Sequence, residues 1–160
     1  MTDQLTHIDE SGRAKMVDVG QKPDTERVAI AGGSVVMRPE TLQLIIEGNV
    51  KKGDVLTVAQ LAGVMAAKRT SELIPLCHPL LLNHISVTCT PNPAESRIDI
   101  EASVRLTGKT GVEMEALTAV TVAGLTIYDM AKAVDRSMRL TDVRLLAKSG
   151  GRSGDYVADE

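Results

Sequence analysis

At 160 residues the chain fits one domain and is long enough to bury a hydrophobic core without disulfides or a structural metal. Its hydrophobic fraction of 43% and charged fraction of 24% are ordinary for a globular protein, but it has no Trp, no Phe and 2 Tyr, so its core must be aliphatic. The net charge of -3 and the scarcity of aromatic rings argue against a nucleic-acid-binding protein, which needs a basic excess or rings on which bases stack.

No segment of the sequence is typical of secretion or of membrane insertion. Residues 1–13 are polar and lack the apolar core of a signal peptide. The longest weakly polar run, residues 116–130, is shorter than the ~20 apolar residues of a membrane span and contains Asp129. Cys77 and Cys89 form neither a C-x-x-C pair nor a zinc-ligand set, so we predict no metal site. We therefore expect a cytoplasmic protein that binds neither membranes nor nucleic acid.

The first half of the chain is predicted to contain two helices that follow β-structure. A run of β-branched residues interrupted by Gly32-Gly33 predicts a bulged strand or a pair of strands. Pro39 suits the first position of a helix, and apolar residues at helical spacing predict a second helix that ends before Pro75. In chain order the predicted segments are a loose arm over residues 1–13, a short strand over 15–19, β-structure over 25–37, and helices over 40–47 and 57–73.

The second half is predicted to contain a hairpin, a long helix and a last strand. Strict alternation of apolar and polar residues over 97–106 predicts a strand with one face in solvent, paired antiparallel with a strand over 84–90. A helix over residues 112–134, a strand over 142–147 and a Gly-rich tail over 149–160 follow. This order predicts a single-domain α+β fold in which helices cover an antiparallel sheet.

The long helix is apolar or small nearly all round between residues 117 and 127, which predicts burial on more than one side. The sheet covers one side, and we attribute the other to a second subunit. Near the end of the helix, Asp129 and Lys132 are three residues apart and therefore on one face. They form either a proton-transferring pair or an ordinary surface ion pair, and their position beside an apolar stretch favours the functional interpretation.

Glu115 lies on the same helix, 14 residues before Asp129. That spacing gives the two carboxylates similar faces but separates them by roughly 21 Å along the axis. One small molecule cannot easily touch both within one subunit. If both act on the same ligand, the site must take residues from two chains, in agreement with a helix buried on two sides.

The segment Gly108-Lys109-Thr110 follows a strand and precedes this helix, as phosphate-binding loops do. The full phosphate-loop motif requires a glycine at position 103, which is Ser103. Two interpretations remain: glycine amides at a helix N-terminus that favour an anion, or a helix end capped by Thr110 and compensated by Glu113 and Glu115. The residues alone favour the second.

Two further loops carry reactive or basic residues. His78 follows Cys77 in a loop between prolines, where a Cys–His nucleophile is conceivable, but adjacent side chains usually point apart and a structural histidine is favoured. Residues 148–154 combine Lys148 and Arg152 with glycines, a composition suited to phosphate and equally to a flexible tail.

Five longer motifs, taken together, resemble the MoaC family. They are residues 66–70 (AAKRT), 73–80 (LIPLCHPL), 106–117 (LTGKTGVEMEAL), 128–134 (YDMAKAV) and 144–151 (RLLAKSGG). The resemblance covers almost the whole chain, with a looser fit over 81–99. It implies a ferredoxin-like α+β fold and a hexamer built as a trimer of dimers, with sites at the dimer interface. It also implies a phosphorus–oxygen lyase of molybdenum cofactor biosynthesis, which turns a cyclised dihydro-GTP precursor into cyclic pyranopterin monophosphate and releases pyrophosphate.

The resemblance also implies roles for individual residues. Asp129 and Lys132 match the family's catalytic pair, which we interpret as general acid and base. Residues implied to contact the substrate are Leu76, Cys77, His78, Glu113, Met114, Glu115, Arg27, Lys52, Lys68 and Lys148. The carboxylates among them suit the N–H donors of a guanine-derived ring, and the cations suit a triphosphate and departing pyrophosphate. No cofactor is implied, and magnesium accompanying the triphosphate stays open.

Three other functions are weighed against this one. A non-catalytic nucleotide-binding or regulatory subunit would bind the same ligand without reaction. An enzyme that simply hydrolyses triphosphates would turn over ordinary GTP and usually needs a metal. An RNA-binding module is disfavoured by the acidic balance and the missing aromatic residues.

Overall fold

The computed structural model describes Ile8 and residues 11–159. In this part of the chain five strands form one antiparallel sheet in the order β2-β3-β1-β4-β5. The strands are β1 Thr25–Val36, β2 His84–Asn92, β3 Arg97–Gly108, β4 Arg139–Ser149 and β5 Tyr156–Val157. The helices are α1 Pro39–Ile46, α2 Val55–Ala67, α3 Thr70–Leu73 and α4 Glu113–Ala131, with a single 3-10 turn at Pro93–Glu95 between β2 and β3. The predicted single-domain, ferredoxin-like α+β fold is confirmed.

The central strands β1 and β3 bury one face against the helices. The alternation predicted for β3 is confirmed, since its inward side chains from Ile98 to Leu106 are all buried. In β1 the pairing with β4 shifts register around Gly32-Gly33, so the bulged-strand alternative is correct. A Cβ on Gly32 would lie 2.8 Å from Leu146, and one on Gly33 would lie 2.9 Å from Val120. Glycine at both positions therefore lets β4 and α4 approach the strand closely.

Helix α4 lies across the centre of the sheet, against β1, β3 and β4, and α2 packs beside it. Part of the α4 surface that we attributed to a second subunit is thus covered by α2 of the same chain. Gly63 of α2 makes the contact close, because a Cβ there would lie 3.0 Å from the Ala119 carbonyl oxygen. The helical layer still exposes large apolar side chains, among them Leu61 at 59% and Leu125 at 55%.

Several predicted boundaries are wrong, each for a local reason. Within the described residues, 15–19 are not a strand: the Val17 carbonyl accepts from the His78 ring, and the Asp18 carboxylate accepts from the Gly20 N–H. The second helix starts earlier, at Val55, because Asp54 caps it by accepting from the Thr57 N–H at 3.1 Å. It also ends at Ala67, and residues 70–73 form the separate turn α3.

The C-terminal third contains more strand than predicted. Helix α4 ends at Ala131, three residues before the predicted end, and β4 extends beyond residues 142–147 in both directions. Within the segment predicted as a Gly-rich tail, β5 pairs with Ala147 and Lys148 of β4. The predicted loose arm over residues 1–13 lies largely outside the described residues. None of the described helices has the length and apolar character needed to cross a membrane.

Candidate functional site

A cleft opens at the N-terminal end of α4. It consists of two adjoining pockets of about 470 and 410 Å³, whose linings share Lys22, Thr110, Gly111 and Glu113. We name the larger one the basic pocket and the smaller one the carboxylate pocket, after the side chains described below. The segment before β1, the turn after β3, the first turn of α4 and the end of β4 meet here, so residues far apart in sequence line one cavity.

The basic pocket is dominated by positive charge. Five of its described lining residues are cationic and one, Glu113, is anionic; the cations are Lys22, Arg27, Lys109, Lys148 and Arg152. Lys148 donates from Nζ to Glu113 Oε1 at 3.0 Å and to Ser153 Oγ at 3.1 Å. The remaining cationic charge makes this pocket suited to a polyanion.

Arg27 forms the floor of the basic pocket. It is buried, and its guanidinium donates from Nε to the Gly108 carbonyl at 3.0 Å and from Nη2 to the Lys109 carbonyl at 3.2 Å. The turn after β4 packs directly on it: Gly151 has φ +81, and a Cβ there would lie 2.0 Å from Arg27 Nη1. Glycine is required at this point both for the backbone conformation and for the close approach.

The glycine-rich segment after β4 is therefore a wall of the pocket. A Cβ on Gly150 would lie 2.1 Å from the Glu26 carbonyl oxygen, and the Gly150 N–H donates to Asp155 Oδ1 at 3.2 Å. These contacts hold Gly150 and Gly151 against β1, and Lys148 and Arg152 line the basic pocket; phosphate binding by residues 148–154 stays a prediction.

The carboxylate pocket contains most of the residues predicted to contact a ligand. Its lining includes Leu76, Cys77, His78, Glu113, Met114 and Glu115. Glu115 is only 4% exposed, and its burial, together with the neighbouring charge of Glu113, raises its pKa to about 7. A carboxyl group poised near neutrality can accept hydrogen bonds when ionised and donate one when protonated.

Cys77 and His78 do not form a nucleophile pair in the described structure. His78 Nε2 donates to the Val17 carbonyl at 2.9 Å, which holds the ring against the segment before β1. Burial, reinforced by the charge of Glu115, raises the pKa of the Cys77 thiol above its ordinary value. A thiol shifted in this direction is a weaker source of thiolate, so the favoured interpretation of His78 as a structural loop residue agrees with its contact.

The predicted cap of α4 is wrong. Val112, not Thr110, occupies the N-cap position, and no described side chain caps the helix there. Thr110 and Gly111 instead line both pockets. The first turn of α4 does contain Glu113 and Glu115, as the charge-compensation interpretation predicted, and anion binding at the turn after β3 stays a prediction.

A second cluster lies at the opposite end of α4. Asp129 Oδ1 accepts from Lys132 Nζ at 2.6 Å, and its Oδ2 accepts from Lys52 Nζ at 2.7 Å. Lys52 also donates to the Asp129 carbonyl at 3.0 Å. These hydrogen bonds, that of Lys132 first and that of Lys52 second, lower the pKa of Asp129 to about 2. All three side chains are about half exposed, so solvent or a second molecule can reach them.

The structure thus divides the predicted site residues between two places. Arg27 and Lys148 line the basic pocket, and the motif residues 76–78 and 113–115 line the carboxylate pocket. Asp129, Lys132 and Lys52 form the cluster at the other end of α4. Among the described residues, the linings of the two pockets do not include Lys68, which follows α2 and is exposed.

Three cations of the basic pocket were not among the predicted site residues. Lys109 and Arg152 lie in loops that the sequence marks as compatible with an anion, so the glycines around them are the signal that identifies them. Lys22 lies in no motif, and only the path of the segment before β1 brings it into both pockets.

The fold and the cleft define an α+β protein with a basic pocket, an adjoining carboxylate-lined pocket and a separate Lys–Asp–Lys cluster. The chain belongs to the MoaC family, whose sequence model matches residues 16–151. It is 65% identical over 158 residues to the cyclic pyranopterin monophosphate synthase of Chloroflexus aggregans, which covers 99% of this chain and 96% of that protein.

Two further relatives carry the same name. The Roseiflexus sp. cyclic pyranopterin monophosphate synthase is 64% identical over 155 residues, covering 97% of this chain and 98% of the relative. The Rhodospirillum rubrum protein is 64% identical over 156 residues, covering 98% of this chain and 94% of the relative. The chain and these relatives therefore match over nearly their entire lengths.

Proposed function

We propose that the protein is a cyclic pyranopterin monophosphate synthase, a lyase that converts a cyclised dihydro-GTP precursor to cyclic pyranopterin monophosphate and pyrophosphate. The observation that carries the proposal is the pairing of a basic pocket with a buried-carboxylate pocket in one cleft. The substrate likewise joins two parts, an anionic triphosphate that suits the basic pocket and a guanine-derived ring with N–H donors that suits the carboxylate pocket. The names of the relatives support this assignment.

The basic pocket accounts for the phosphate end of the substrate. Arg27 is held by two backbone carbonyls, so its guanidinium needs no reorganisation when the anion binds. Lys148 is held by Glu113 and can exchange that carboxylate for a phosphate oxygen at the same distance. The positive charge gathered here stabilises the pyrophosphate that leaves.

The carboxylate pocket accounts for the ring. A guanine-derived ring presents several N–H donors on one edge, and Glu113 and Glu115 offer acceptors at the first turn of α4. Leu76, Cys77 and Met114 provide apolar and weakly polar surface around them. His78 lines the same pocket, and its ring donates to the Val17 carbonyl, so we assign it the role of orienting the ring of the substrate.

The Asp129–Lys132 pair, with Lys52, supplies the proton transfers of ring opening and reclosure. The Asp129 carboxylate accepts from one lysine on each of its two oxygens, which holds both ammonium groups beside one carboxylate. The pair lies roughly 21 Å along α4 from Glu115, so it serves the cleft of another subunit rather than its own. We assign Lys68, which follows α2, to the same site, formed by the cleft of one subunit and the Asp129–Lys132 pair of another.

We therefore include a homo-oligomer in the proposal, a hexamer built as a trimer of dimers with each site at a dimer interface. The half-exposed pair and the exposed apolar side chains of the helical layer, such as Leu61 and Leu125, support contact with another copy. Because the substrate derives from GTP, the proposal also includes a cytoplasmic location.

The test is pyrophosphate release from the cyclised dihydro-GTP precursor, with ordinary GTP as the control and the pterin product followed by its fluorescence after oxidation. Release coupled to pterin formation, with GTP untouched, is expected. Turnover of GTP would indicate a triphosphate hydrolase. Tight binding of the precursor without release would contradict the enzyme assignment and indicate a nucleotide-binding subunit.

A further inference from the structure

The backbone that carries Lys132 is a short turn between α4 and β4. We name residues 132–137 the exit turn. Lys132 is the C-cap of α4, and its N–H donates to the Tyr128 carbonyl at 2.8 Å. The N–H groups of Val134 and Asp135 both donate to the Ala131 carbonyl, at 3.0 and 3.1 Å. The position of the Lys132 Cα therefore depends on what holds this turn.

The side chain of Asp135 is the main anchor of the exit turn. It is only 2% exposed, yet it is a carboxylate, and its two oxygens accept four hydrogen bonds. These come from the Arg38 N–H at 3.0 Å, the Thr41 hydroxyl at 3.2 Å, the Ser137 N–H at 2.9 Å and the Ser137 hydroxyl at 2.6 Å. Arg38 Nε lies 3.5 Å away as well. Such a fully hydrogen-bonded buried charge defines one geometry, since any displacement leaves donors and acceptors unpaired.

These contacts join the exit turn to the start of α1. Arg38 is the N-cap of α1, and its own side chain donates to the Val134 carbonyl in the exit turn. Asp135 in return accepts from the Arg38 backbone and from Thr41 in the first turn of α1. On the other side, the Tyr128 hydroxyl donates to the Arg136 carbonyl at 3.3 Å. The exit turn is therefore tied to both α1 and α4.

The Lys–Asp–Lys cluster itself lacks comparable support. Lys132, Asp129 and Lys52 are each about half exposed, and their contacts are mainly with one another. Long flexible side chains keep a fixed arrangement only if the backbone beneath them is fixed. For Lys132 that backbone is the exit turn.

We propose that Asp135 is a positioning residue that, by binding the start of α1, fixes the exit turn and with it the geometry of Lys132 toward Asp129. Its consequence for turnover rests on the function proposed above. The direction in which the pKa of Asp135 is shifted agrees with this role. Burial would raise its pKa, but the hydrogen bonds from Arg38, Ser137 and Thr41 outweigh burial and hold the pKa well below its ordinary value.

The test uses Asp135→Asn, the milder Ser137→Ala, and Asp99→Asn as a matched control. Asp99 is also a hydrogen-bonded carboxylate, accepting from Ser34 and Asn92 and pairing with Arg97, but it lies on the opposite face of the sheet. The first readout is the pKa of the Asp129 carboxyl by NMR, which needs no substrate. The second is the kcat and KM of pyrophosphate release.

In Asp135→Asn the pKa of Asp129 should rise from about 2 toward its ordinary value of 3.8, as Lys132 loses its fixed position. We expect kcat to fall by at least about tenfold while KM changes by less than about twofold, because misplacement of a reacting group affects the transition state more than binding. Ser137→Ala should move both readouts in the same direction by less, and Asp99→Asn should leave both unchanged.

A folded Asp135→Asn with an unchanged Asp129 pKa would overturn the proposal, and so would an equal shift in Asp99→Asn. If Asp135→Asn does not fold, Ser137→Ala decides on the same criteria. The two proposals fail separately. A shifted Asp129 pKa in a protein whose wild type releases no pyrophosphate would leave the positioning role standing and remove the proposed function.

Discussion

Asp129 and Glu115 lie on one helix and at its opposite ends. Glu115 is buried in the carboxylate pocket at the first turn of α4, and Asp129 is held by two lysines near the last turn. Fourteen residues of rigid helix, roughly 21 Å at 1.5 Å per residue, keep them apart. If both act on one substrate, the active site cannot be complete in a single chain.

Two inactive variants should therefore restore each other. Co-expression of Asp129→Asn with Glu115→Gln gives mixed dimers in which one site contains both substitutions and the other contains neither. With random pairing, about one quarter of the wild-type activity should return, since half of the dimers are mixed and half of their sites are intact. The measurement is pyrophosphate release by the purified mixture.

The control for this complementation pairs two substitutions from the same cleft, Glu115→Gln with Lys148→Ala. In those mixed dimers every site carries one defect, so activity should stay at the level of the single variants. Recovery in the control, or no recovery with Asp129→Asn, would show that the cleft and the pair do not meet across subunits.

Lys132→Ala should bind the substrate and fail to turn it over. Loss of a general acid or base typically costs about 10²–10⁴-fold in rate. The affinity should change far less, because the proposed function assigns the phosphates to the basic pocket. Single-turnover kinetics and equilibrium binding separate the two effects. Arg136→Ala removes an exposed cation of the same turn and serves as the control; normal turnover by Lys132→Ala would disprove the assignment.

Glu115 should make the free protein less stable as pH rises through neutrality. Its pKa is raised from 4.5 to about 7 in the folded state, so the folded protein binds the proton more tightly than the unfolded chain. Between these two values stability falls with pH, as linkage requires. In urea unfolding, Glu115→Gln should gain stability relative to wild type by about 1–2 kcal/mol between pH 5 and pH 8, after allowance for partial solvation. An identical pH dependence in both proteins would contradict the raised pKa.

Gly151→Ala should damage the basic pocket, whereas Gly154→Ala should not. Both glycines have positive φ, +81 and +68, so either alanine strains the backbone by about 1–2 kcal/mol. Only at Gly151 would the new Cβ also collide with Arg27, since open space surrounds Gly154. We expect an increase in KM of about tenfold or more for Gly151→Ala beyond that of Gly154→Ala, reflecting displacement of the guanidinium. Equal KM values would show that Arg27 does not contact the substrate.

The spacing of apolar residues and the positions of Gly and Pro predicted much of the fold, because strands and helices depend largely on residues close together in the sequence. The alternation in β3 could be recognised without any tertiary information, whereas Gly32-Gly33 left a bulged strand and a pair of strands open until the pairing with β4 decided for the bulge. The break between α2 and α3 could not, since no Gly or Pro lies between Ala67 and Pro75 to mark it. The packing of α2 on α4 was also not predicted, because an apolar helix surface indicates burial but does not identify the partner.

The sequence by itself determined the family, the α+β order of elements and the motif residues, because these depend on residue identity and short-range spacing. The tertiary structure alone decided which of those residues meet. Sheet pairing between β1 and β4 packs Gly151 against Arg27, and the path before β1 brings Lys22 to the same pocket. The length of α4 keeps Asp129 away from them. Contacts between distant segments depend on how the layers pack, and no local preference of the chain specifies that packing.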